Sequence, residues 1–114
     1  MLEITSPALT PVADYFKVLS QVSRLQILCV LQSGEKNVTE IIEATGMGQA
    51  NVSKHLMVLT QAGIVTRQPK GANVFYQITD PIVFELCELV CDRLKIQLQE
   101  QSQKLSQLTA MRYF

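Results

Sequence analysis

The chain has 114 residues, 47% of them hydrophobic and 18% charged, which suits a single folded domain with its own core and excludes a disordered chain. Ten basic against ten acidic side chains give a formal net charge of zero, so no bulk charge marks it as a nucleic-acid or membrane binder. Three cysteines without a close Cys-x-x-Cys pair fit neither a disulfide-stapled secreted scaffold nor a zinc ribbon, and point to a reducing compartment. No apolar run approaches the length of a membrane span, so the expectation is a cytoplasmic protein with no membrane partner.

Apolar residues Val12, Tyr15, Phe16 and Leu19 recur at helical spacing and predict a first helix over 12–19. Ser20 or Ser23 is placed to cap a second helix through Leu25, Leu28 and Leu31, which Ser33-Gly34 ends. Asn37 stands three residues before Glu40, the spacing of a capping box, and opens a third helix over 38–45. After Gly46-Met47-Gly48, a fourth helix over 49–62 puts Val52, Leu56 and Leu59 on one face and Gln49, Ala50, Ser53 and Lys54 elsewhere. Met47 and Met57 read as packing residues.

Beyond Gly63 the pattern becomes extended. Residues 64–68 and 74–78 are β-branched and aromatic runs separated by Pro69-Lys70-Gly71-Ala72-Asn73, which predicts a hairpin. Thr79-Asp80-Pro81 then supplies a cap and a first-turn proline for a glycine-free final helix over about 80–111. At roughly 45 Å, that helix is too long for so small a domain to cover. Phe84, Cys87, Cys91, Leu94, Leu98, Gln101, Leu105 and Leu108 follow spacings of three and four, a coiled-coil-like seam that calls for a second copy of the chain.

Two short helices joined by a glycine turn and followed at once by a hairpin describe a helix-turn-helix with a wing. The second of these helices carries small residues, amides, a hydroxyl and cations at its start. Gln49, Ala50, Asn51, Ser53, Lys54 and His55 are therefore the candidates for base edges and phosphates of double-stranded DNA, with Arg67 and Lys70 added by the hairpin. The zero net charge hides a polarity that supports this surface. Residues 44–79 contain no Asp or Glu and carry +3 from Lys54, Arg67 and Lys70, against −2 before them and −1 after.

With these motifs in place the sequence resembles the ArsR/SmtB family of dimeric winged-helix repressors over nearly the whole chain. The resemblance is carried by Leu19-Ser20, by Ser23-Arg24-Leu25-Gln26-Ile27-Leu28, by Val38-Thr39-Glu40-Ile41, by Gln49-Ala50-Asn51-Val52-Ser53-Lys54-His55-Leu56 with Leu59, by Ala62-Gly63-Ile64-Val65, and by Val74-Phe75-Tyr76-Gln77-Ile78. Gln21-Val22 replaces the family's usual aspartate-proline before the second helix. The resemblance implies an operator-binding homodimer released by an inducer. It also implies none of the usual zinc sites, because Lys36 to Thr39 lacks the family's cysteine motif, and Ile82, Arg93 and Ile96 stand where three further ligands belong beside Asp80.

Cys29 falls where the sulfide- and persulfide-responsive branch of the family, the SqrR/BigR type, has its first thiol, and 46–49 resembles that branch too. The branch's second thiol falls near Lys95, one turn beyond Cys91. Three readings of Cys29, Cys87 and Cys91 stand side by side. They are sensor thiols pairing Cys29 with Cys87 or Cys91 through reactive sulfur species; or they form a soft-metalloid site for an arsenite-like inducer; or they are compact apolar residues with no sensory role. Under the last, the protein is a constitutive DNA-binding or protein-interaction module.

The expected molecule is thus α+β and mainly helical, a winged helix-turn-helix forming one domain over 1–114. Its helix-turn-helix covers about 38–62, its wing about 64–78 and its dimerisation helix about 80–111. It has no catalytic residues and needs no cofactor.

Overall fold

The computed structural model describes residues 3–111. In chain order it contains α1 (Leu9–Val18), α2 (Val22–Leu31), β1 (Lys36–Asn37), α3 (Val38–Thr45), α4 (Gln49–Gln61), β2 (Val65–Lys70), β3 (Asn73–Ile78) and α5 (Ile82–Met111). The chain divides into two compact units, the first ending at Asp80 and the second beginning at Pro81. The architecture is the mainly helical winged helix-turn-helix expected, with a small antiparallel wing and a long last helix.

In the first unit, α2, α3 and α4 pack on one another and α4 packs on β2. Their shared core is Ile27, Leu28 and Leu31 from α2, Ile41 from α3, Val52, Leu56 and Leu59 from α4, and Ile64 and Val65 at the entry to the wing. In α2 and α4 these positions recur at helical spacing, so one stripe of each is withdrawn from water at about 25 cal/mol per Å².

α3 forms as its sequence predicts. Asn37 accepts from the Glu40 amide at 2.9 Å while Glu40 accepts from the Asn37 amide at 3.0 Å, a complete capping box. Gly46 ends the helix at φ 73°, a left-handed conformation that glycine adopts without a Cβ penalty.

Three boundaries differ from expectation. α1 begins at Leu9 rather than Val12, because Pro11 sits in the first turn, where its missing N–H has no helical partner anyway. Neither Ser20 nor Ser23 caps α2; the N-cap is Gln21, without a side-chain hydrogen bond, and the Ser20 hydroxyl donates back to the Lys17 carbonyl at 2.6 Å. The wing strands extend through Pro69 and Asn73. β3 is central in the order β1-β3-β2, so β2 is an edge strand that tolerates a proline. A two-residue turn led by Gly71 at φ 63° joins Lys70 to its partner Asn73.

β1 has only two residues and no sequence signature. It pairs Lys36 with Tyr76 and Asn37 with Phe75, anchoring the start of α3 to the wing.

The second unit is α5, 30 residues long. Leu89, Val90, Leu94, Leu98, Leu105 and Leu108 are all more than half exposed on the single chain. Among the described residues, no helix is long and apolar enough to cross a membrane.

Candidate nucleic-acid interface

α4 leaves the core through the tight connection Gly46-Met47-Gly48. The Thr45 hydroxyl donates to the Ile41 carbonyl at 2.7 Å and accepts from the Met47 amide at 3.3 Å, which ties the connection to the last turn of α3. Gly48 is the N-cap in extended conformation and brings no side chain to the helix start. The first amides of α4 therefore point out uncovered, where the helix dipole favours an anion. Gln49, Ala50, Asn51, Ser53 and Lys54 are all exposed here, Gln49 because it opens the helix and the other four because they lie off the stripe of Val52, Leu56 and Leu59.

His55 is not on that exposed face, which corrects its place among the DNA candidates. It is 7% exposed and lies on the buried stripe with Val52 and Leu59, three residues after one and four before the other. Its Nδ1 accepts a hydrogen bond from Nε of Arg24 at 3.2 Å, and Nη1 of Arg24 donates to the Val18 carbonyl at 3.2 Å. Arginine offers donors only, so Nδ1 must hold a lone pair and the imidazole is neutral with its proton on Nε2. Burial, then the charges of Arg24 and Lys54, push the His55 pKa below 6.5.

Arg24, itself 8% exposed, thus ties the last turn of α1 and its own helix α2 to the middle of α4. Helical spacing carries the signal for both residues, since Arg24 precedes Ile27, Leu28 and Leu31 by three, four and seven positions.

The wing places its cations differently from one another. Residues paired across antiparallel strands share a face, so Arg67, Tyr76 and Lys36 project to one side of the sheet and Gln68 and Phe75 to the other. Arg67 is exposed beside α4, in a cleft of about 200 Å³ shared with Ser53 and Tyr76. Lys70 instead sits 2.6 Å from the Glu35 carboxylate, with its ammonium 5.6 Å from the Phe75 ring centre. The acid-free stretch of sequence is therefore not an acid-free surface, because the segment before β1 carries Glu35 to the wing tip. The expected phosphate contact at Lys70 must compete with that ion pair, an exposed one worth about 0–1 kcal/mol.

Met57, expected to pack, is 54% exposed on the outer side of α4.

The three thiols are free, with Cys29 and Cys91 exposed and Cys87 half-buried. Cys29 opens on a largely apolar cleft of about 320 Å³ formed by Val22, Leu25, Gln26 and Val30 of α2 and Ala44 and Thr45 of α3. Among the described residues, no three His, Cys, Asp or Glu side chains gather in a group able to hold a metal ion.

Comparison with known proteins agrees with this geometry. Residues 21–67, from the N-cap of α2 to the first wing strand, match the family model described as bacterial regulatory protein, arsR family. The biofilm growth-associated repressor of Xylella fastidiosa strain Temecula1 is 38% identical over 69 residues, a match spanning 60% of this chain and 60% of that one. The crystal structure of the transcriptional repressor BigR from Xylella fastidiosa has a TM-score of 0.65 at 33% identity, covering 71% of this chain and 83% of its own. The solution structure of Mb0332 from Mycobacterium bovis, described as a homodimeric winged helix-turn-helix DNA-binding domain, has a TM-score of 0.70 at 33% identity, covering 81% and 88%.

Proposed function

The chain belongs to the arsR family of bacterial regulatory proteins, and from that premise we propose that it is a homodimeric repressor. In this reading it binds a double-stranded DNA operator and leaves it when an inducer binds. The observation that carries the proposal is the polar opening of α4, where Gln49, Asn51, Ser53 and Lys54 are exposed at uncapped helix amides, next to a wing carrying the exposed Arg67. In the complex, α4 lies in the major groove with its amides and hydroxyl at base edges, while Lys54, Arg67 and Lys70 neutralise phosphates.

Three cations per chain are few, so two chains act together. The exposed apolar residues of α5 supply the pairing seam, and the two copies of α4 then fall about one DNA turn apart. Selection of duplexes from a random pool by the full-length chain tests this. An inverted repeat with half-sites about 10–11 base pairs apart is expected; no enrichment of any duplex refutes the reading.

The inducer site belongs to the thiols in this account. Cys29 is exposed at the mouth of an apolar cleft, open to reactive sulfur species or an arsenite-like metalloid, and Cys87 and Cys91 are two further free thiols one helical turn apart on α5. Intact-mass analysis after polysulfide or arsenite treatment should find mass added on, or a bridge involving, Cys29. Normal release of DNA by Cys29→Ser under every such inducer refutes the switch and leaves the repressor reading standing.

A further inference from the structure

Three hydrogen-bond donors at the junction of α4 and the wing have no acceptor among the described residues. Among the described residues, the Arg67 guanidinium makes no ion pair or hydrogen bond, and the Ser53 and Tyr76 hydroxyls make none either. All three line the same cleft of about 200 Å³, with Met57, Thr60 and Gln61 as its remaining walls. The arrangement follows from two periodicities. Ser53, Met57 and Thr60 lie four and three residues apart and form one stripe of α4, while Arg67 faces Tyr76 across the β2–β3 ladder.

The Thr60 hydroxyl is already committed to the Leu56 carbonyl at 2.7 Å, and no carboxylate lines the cleft. A planar cation and two hydroxyls facing no acid select a ligand that is anionic and offers acceptors only, and the guanidinium fork fits two oxygens of one phosphate.

We propose that this cleft is a phosphate seat, in which one DNA backbone phosphate per half-site is held between Arg67, Tyr76 and Ser53. The inference rests on the DNA-binding reading above and adds to it a division of labour within the wing. Arg67 and Tyr76 at the junction carry the wing's share of affinity. Lys70 at the tip is held by Glu35 and contributes less. The seat also sets register, since it fixes the phosphate next to the bases that the first turn of α4 faces.

The test uses the full-length chain and a duplex obtained by selection, with each phosphate in turn replaced by a neutral methylphosphonate. One symmetry-related position should cost wild-type protein roughly ten- to hundred-fold in affinity, the scale of a charged hydrogen bond. That same substitution should cost Arg67→Ala nothing further and Tyr76→Phe distinctly less than wild type. Arg67→Ala should also reduce the salt slope by about one per phosphate held, and by more than Lys70→Ala does. Arg67 is exposed, so an unchanged melting curve accompanies its loss, and Arg67→Lys recovers the charge without the two-pronged contact.

The seat is refuted if every position keeps its full cost in Arg67→Ala, or if Lys70→Ala weakens binding as much as Arg67→Ala; both results leave the DNA-binding reading intact. Inorganic phosphate that shifts the Tyr76 ring resonances in an Arg67-dependent way, with no coupled position on the duplex, assigns the cleft to a free anion and overturns its assignment to nucleic acid. Failure to select any duplex overturns the premise and the seat together.

Discussion

Replacing Arg24 with methionine keeps the length of the buried stem and removes both of its hydrogen bonds, to His55 Nδ1 and to the Val18 carbonyl. The Val18 carbonyl ends α1 at a half-buried position, where water can replace the lost donor. His55 as a residue is 7% exposed, so its Nδ1 acceptor is stranded, at a cost of about 1–3 kcal/mol. Partial relief of the buried guanidinium charge offsets some of this, leaving a net loss of about 1 kcal/mol at pH 7.5, or roughly 3–6 °C in melting temperature.

The same substitution changes the pH profile. The His55 pKa is lowered in the fold, so the folded state binds fewer protons than the unfolded one, and the resulting stability is complete above about pH 6.5. It is lost as the pH falls from there through the folded-state value, with a slope of at most about 1.4 kcal/mol per pH unit. Removing one of the two cations that hold the pKa down makes that loss shallower. Because the chain has a single histidine, urea unfolding at fixed chain concentration between pH 8 and 5.5 isolates it. If Arg24→Met matches wild type in midpoint at pH 7.5, or shows the same steepness towards pH 5.5, the buried link does not hold α4 in place.

Other substitutions probe the remaining parts. Gln21→Asp places a carboxylate at the uncapped start of α2, and chemical denaturation should show a gain of about 0.5–1 kcal/mol. Asn37→Ala removes the side-chain acceptor of the Glu40 amide and keeps the backbone N–H that donates to the Glu40 carboxylate, so about 1 kcal/mol should be lost by the same measurement. Leu98→Glu with Leu105→Glu puts charges on the exposed seam of α5; sedimentation should then report a monomer under conditions in which the proposed dimer is expected of the unaltered chain.

Much of this arrangement is legible in the sequence where the determinants are local. Asn37 and Glu40 define the start of α3, Gly46 and Gly63 end α3 and α4, and alternating β-branched and aromatic residues define the hairpin. What the sequence conceals is what distant segments bring to one another. β1 is two residues stabilised only by pairing with β3, and Glu35 meets Lys70 from 35 residues away, so charge counted along the chain overstates charge on the surface. The misplacement of His55 has another cause. Its position between Val52 and Leu59 already puts it on the apolar stripe, but its polarity suggests the groove-facing side, and its partner Arg24 lies 31 residues away in sequence.

The central claim, that the polar start of α4 and the wing cations form a DNA-binding surface, is tested most directly by one set of fluorescence-anisotropy isotherms on a selected duplex at increasing salt. Wild-type affinity should fall log-linearly with salt, and the triple variant Lys54→Ala, Arg67→Ala, Lys70→Ala should bind far more weakly, with a flatter salt slope and a melting temperature lowered by no more than loss of the exposed Lys70–Glu35 pair explains. Wild-type affinity retained by the triple variant would place the DNA contact elsewhere and contradict the account.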